Sequence, residues 1–124
     1  MNRIILILLL ISSLSCFSQT QSEMNKTALS EYQQSNNILN KIYQDILSQY
    51  KQNKIFIRNL KASQRHWIKY RDAELKLTYP EQASEIYGSS FSMCRTILLT
   101  KLTEERSESL NKFLTKKIDG DICN

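Results

Sequence analysis

Apolar and aromatic residues recur at Ala28, Tyr32, Leu39, Tyr43, Ile46 and Tyr50, in steps of three, four and seven that gather on one side of a helix. Leu29, Ile38, Ile42 and Leu47 widen that stripe into a core-facing sector. Ser22 is the expected N-cap, and Gln33, Gln34, Asn36 and Asn37 belong to the solvated side. A second helical period opens at Asn53 and carries Ile55, Phe56, Leu60, Trp67, Tyr70 and Leu77 as far as Tyr79, with no breaker before Pro80. So short a link as Lys51 to Asn53 predicts that the first two helices are antiparallel neighbours, a hairpin. Residues 78–90, with Pro80, Gly88, Ser89 and Ser90, form the one long break. Beyond it Phe91, Cys94, Ile97, Leu98, Leu102, Leu110 and Phe113 predict a third helix, capped by Ser89 or Ser90.

Ahead of the first period, Asn2 and Arg3 precede an unbroken apolar run from Ile4 to Ile11 and then the serine-rich stretch 12–18. That order is the charged, apolar and small-residue sequence of a secretory signal, so residues 1–18 are expected to be a signal peptide and 19–124 a single helical domain. The apolar run is well short of the roughly 20 residues that cross a bilayer, and no later stretch approaches it, so no transmembrane segment is expected. Two processing readings stand side by side. Lipid attachment at Cys16 wants a branched aliphatic residue three positions earlier, where Ser13 stands; cleavage after Ser18, with Cys16 and Ser18 at the small-residue positions, starts the mature chain at Gln19 and is the preferred reading.

Composition narrows the fold. Two Gly and one Pro in 124 residues starve the chain of the turn residues that β-rich folds consume. The expected fold class is therefore all-α, an elongated antiparallel three-helix bundle with a fold-back C-terminal tail. After signal removal Cys94 and Cys123 remain, and an even count in an oxidising compartment suggests one disulfide. Such a bond requires the third helix to stop by about Phe113 so that the tail can run back along it, and closing a loop of about 30 residues would contribute roughly 3 to 4 kcal/mol. The competing reading leaves Cys94 unpaired.

Net charge is +5, too mild to imply nucleic-acid binding. It is unevenly spread. Met24 to Arg71 holds nine bases and two acids, whereas Asp72 to Glu108 holds four bases and seven acids. Opposite signs on antiparallel helices attract; the sharper reading is a basic face for an anionic envelope polymer and an acidic one for a basic protein.

Catalytic patterns are scarce. His66 has no second His or Cys at ligand spacing, so no metal site is expected, and no phosphate loop or nucleophile motif occurs. Glu104, Glu105 and Glu108 lie close together on one helix, where carboxylates usually serve as solvated partners, here of Lys101 and Arg106. No cofactor and no enzyme activity are expected. The densest constellation is 64–74, where Trp67 and Arg71 share a helix face so that the guanidinium can lie over the indole, with Arg71 or Arg65 pairing acids on the third helix. One reading makes Trp67 core and Arg71 with Asp72 a polar network fixing the helix; the other makes them an anchor for a protein partner.

The order Met24-Asn25, Ala28, Tyr32, Leu39-Asn40, Tyr43, then Ala62-x-Gln64-Arg65-x-Trp67-Ile68-x-Tyr70-Arg71-Asp72-Ala73, and finally Cys94, Leu102-Thr103-x-x-Arg106 and Leu110 resembles the LprI-like lysozyme inhibitor family. Gln64, Arg65, Trp67, Arg71, Asp72, Thr103 and Arg106 are the motif positions. Thr27 and Leu75 stand where family members often carry Cys, and Tyr87-Gly88-Ser89 replaces the usual Gly-Gly-Ser. The resemblance implies an exported, non-enzymatic helical domain, periplasmic, secreted or envelope-tethered, that binds lysozyme. Glu81 and Glu85, in the acidic loop before the third helix, join Trp67, Arg71 and Asp72 as candidate contacts. The rival expectation is an envelope accessory module that binds peptidoglycan fragments or another envelope protein.

Overall fold

The computed structural model describes residues 2–115, with side chains described from residue 20 onward. Every regular element is helical: α1 (Asn2–Gln49), α2 (Lys54–Thr78), a 3-10 turn (Glu81–Ala83), α3 (Ser84–Tyr87), a second 3-10 turn (Gly88–Ser90) and α4 (Phe91–Thr115). Helix α1 starts at Asn2, so the expected signal segment is continuous with the first helix, and Ser22 lies inside α1 rather than at a cap. Among the described residues no helix is long and apolar enough to cross a membrane.

The tight link between α1 and α2 forms for a local reason. Asn53 accepts a hydrogen bond from the Phe56 amide on its Oδ1 at 3.0 Å, satisfying a donor that the first turn of α2 leaves open. At the other end Gly88 closes α3 with φ at 56°, a backbone that a side chain disfavours. Ser90 does not cap α4 as expected. Its hydroxyl donates back to the Tyr87 carbonyl at 2.8 Å, and the second 3-10 turn feeds straight into α4.

Cross-helix contacts give the directions. Asn25 donates to the Ser89 carbonyl and Tyr50 to the Phe113 carbonyl, so α1 and α4 run parallel. The Phe56–Phe113 and Tyr79–Phe91 ring pairs set α2 antiparallel to α4. The fold is all-helical, as expected, but its packing is not the evenly shared bundle built on an α1–α2 hairpin. The most extensive backbone approach is between α1 and α4. Small buried side chains permit it: Ala28 and Ser35 on α1, Thr103 and Ser107 on α4. The larger core fills the end near the α1–α2 link, where Leu39, Ile46, Leu60 and Leu110 pack with Tyr43, Phe56 and Trp67 beside them.

Several stripe residues lie elsewhere. Leu29, Ile38, Ile55, Tyr70, Leu77, Ile97 and Phe113 are exposed, while Leu75, Thr103, Ser107 and Ser35 are buried. The α4 hydroxyls find acceptors in their own helix, which lets Thr103 and Ser107 reach the interior. Thr96, Thr100, Thr103 and Ser107 donate to the carbonyls of Ser92, Thr96, Leu99 and Thr103 at 2.7 to 3.0 Å.

Helix α4 continues to Thr115, past the expected stop at Phe113. Among the described residues Cys94 has no disulfide partner, and Cys123 with the expected fold-back tail lies outside them. The longer helix works against pairing. Cys94 to Thr115 spans about 31 Å of helix, whereas the eight residues to Cys123 reach at most about 29 Å, so a bond within the roughly 7 Å allowed between bridged α-carbons would need a nearly fully extended tail.

Candidate functional site

The motif residues converge on the α2–α4 contact. Trp67 is half-buried on α2, and the Arg71 guanidinium one turn later lies 5.3 Å from its ring centroid. Arg106 approaches the same ring from α4, at 5.9 Å. Both distances fall within cation–π range, so the indole is shared by two guanidinium groups.

Each cation has its own polar partners. Arg71 donates Nε and Nη2 to one oxygen of Asp72, at 2.9 and 2.7 Å. Arg106 donates Nε to Gln64 Oε1 at 3.0 Å and Nη2 to Ser63 Oγ at 2.9 Å. Those acceptors are neutral. Burial therefore acts on Arg106 without a compensating carboxylate and pushes its guanidinium below its ordinary pKa, though an arginine so placed still keeps its proton.

The structure thus brings Gln64, Trp67, Arg71, Asp72 and Arg106 together, with Thr103 one turn before Arg106 and fully buried. The expected pairing of Arg71 or Arg65 with acids on the third helix is replaced: Arg71 pairs within α2, and Arg106 bonds to α2 side chains rather than to Glu104, Glu105 or Glu108. Among the described residues both ion pairs, Lys41–Asp45 and Arg71–Asp72, lie within a single helix. The charge asymmetry between chain halves is not consumed by bridges from helix to helix.

Arg65 stands apart from the cluster. It lines an open cleft of about 310 Å³ with Lys51, Lys54, Ile57, Arg58 and Lys61. On α4, Glu104 and Glu108 line a groove of about 230 Å³ with Ser107 and, from α1, Ser35 and Ile38. Both carboxylates come from one wall, so no second acid faces them across the groove as glycoside hydrolysis requires.

Glu81 and Glu85 sit in the exposed segment between α2 and α4, away from the Trp67 cluster. Its base is held by Tyr79, Tyr87 and Phe91, whose rings pair at 6.0 to 6.5 Å. Ile86 at its crest is 82% exposed. Sequence reasoning passed over Ile86 because it follows no helical stripe; its signal was an aliphatic residue inside a short acidic connection.

Among the described residues the fold is all-helical, and the Trp67–Arg106 constellation ties α2 to α4. The chain belongs to the family described as Lysozyme inhibitor LprI, whose pattern matches residues 16–110. No curated protein and no solved structure matches it.

Proposed function

We propose that this chain is an exported, non-enzymatic lysozyme inhibitor that docks through the segment between α2 and α4. Family membership supports the target class. The observation that carries the docking surface is the exposed Ile86 between Glu81 and Glu85, in a stretch from Tyr79 to Cys94 that contains no Lys or Arg. An apolar crest beside acids suits a basic enzyme surface, and the ring cluster at its base reduces the ordering cost of binding. Net charge gives no long-range steering toward a basic lysozyme, so the attraction is local. In this reading the Trp67–Arg71–Arg106 cluster holds α2 against α4 and positions the segment, while residues 1–18 act as the export signal and Gln19 begins the mature chain.

The test is titration of the protein into an animal-type lysozyme clearing cell walls at near-physiological salt. Inhibition should saturate near one equivalent and weaken for Ile86→Ala and for Glu81→Gln with Glu85→Gln. Full lysozyme activity at large protein excess would overturn the proposal.

A further inference from the structure

The cleft at the start of α2 carries a charge pattern that works against the helix that bears it. Lys54, Arg58, Lys61 and Arg65 follow one another at spacings of four, three and four residues, so each neighbouring pair shares a helix face. Like charges at those spacings destabilise a helix. Lys51, from the link after α1, adds a fifth cation to the same cleft. Among the described residues none of the five has an acidic partner, and no acid lines the cleft. Lys54 also stands in the first turn of α2, where the helix already presents its positive end.

We propose that this cleft binds a linear polyanion, an extended chain of phosphate-bearing units. The four α2 cations span about 16 Å, roughly one charge per helical turn, which matches a string of negative groups better than a single anion. Arg58 and Arg65 supply planar forks for phosphate oxygens, and the lysines supply point charges between them. Two alternatives fit less well. The lining contains Ile57 and no aromatic ring, so nucleic-acid bases would find no stacking platform. A bilayer presents its headgroups as a plane rather than as a string that follows one helix face. The polyanion site is separate from the segment bearing Glu81, Ile86 and Glu85, so each stands without the other.

The experiment measures binding of the purified protein to long-chain inorganic polyphosphate, to orthophosphate and to vesicles rich in phosphatidylglycerol, across a salt series. Polyphosphate should bind far more tightly than orthophosphate, with a log–log salt slope of about −3 to −4 for five neutralised charges. Arg58→Gln with Lys61→Gln should weaken binding about tenfold or more and flatten the slope by about 1.4. Lys26→Gln with Lys101→Gln, exposed on α1 and α4 and outside the cleft, should leave both unchanged. Should the cleft variant fold poorly, the salt slope of the unaltered protein still decides. Binding to vesicles alone, equal affinity for orthophosphate and polyphosphate, equal loss in the control variant, or no binding would each overturn the proposal.

Discussion

Arg106 of α4 donates to Gln64 of α2 at 3.0 Å while lying 5.9 Å from the Trp67 ring, so one side chain makes both a polar and a cation–π contact between these helices. Two motif segments far apart in sequence are thereby explained as halves of one helix–helix fastening. The family's Gln-Arg-x-Trp and Thr-x-x-Arg positions meet at this point, apart from Arg65, which faces the basic cleft.

Arg106→Lys should destabilise the protein by about 1 to 3 kcal/mol, because an ammonium cannot serve Gln64, Ser63 and the indole together. Chemical denaturation measures it. In a double-mutant cycle, Gln64→Ala and Arg106→Ala should couple by about 1 kcal/mol or more; strict additivity would show that the contact is not formed in solution.

Ser35 is 4% exposed and its hydroxyl has no hydrogen-bond partner. Ser35→Ala should therefore leave stability unchanged or raise it by up to about 1 kcal/mol, since an unsatisfied group is removed at little loss of volume. Ser35→Leu should cost about 1 to 3 kcal/mol by forcing α1 from α4. Thermal unfolding of the two variants distinguishes a tight seam from a loose one.

At Gly88 an added Cβ meets no atom within 4 Å, so only the backbone resists substitution. Gly88→Ala is expected to cost about 1 kcal/mol through the positive φ alone. A larger loss, read as a shift in denaturation midpoint, would mean that the segment around Ile86 is held by more than its backbone.

Among the described residues Cys94 has no disulfide partner, and on that basis Cys94→Ser should move stability by less than about 1 kcal/mol, against the roughly 3 to 4 kcal/mol a loop-closing disulfide contributes. Denaturation under non-reducing conditions settles which holds. Thiol titration of the unfolded, unreduced protein gives an independent reading.

Much of the fold was legible in the chain. The scarcity of Gly and Pro, the helical periods and Asn53 at the α1–α2 link specify long helices and their breaks, because those signals act within a few residues. The pairing of Arg71 with Trp67 and Asp72 was equally local, lying one turn and one residue apart. The burial stripe was less legible. Ser35, Thr103 and Ser107 read as polar, yet three-dimensional packing buries them, the α4 pair because their hydroxyls bond to their own helix.

Local periodicity and turn chemistry thus determined that the chain is helical and where its helices break, since a helix is closed by bonds four residues apart. Only the tertiary structure decided which helices pack closest and which motif residues meet. Arg106 and Gln64 stand 42 positions apart, and their contact depends on how the small-residue seam draws α4 along α1 and leaves α2 to be fastened by side chains. The sign of each charge was written in the sequence, but its pairing was not. Whether a cation faces an acid, an indole or an open cleft depends on the rotation of its helix against the others, which no local rule specifies.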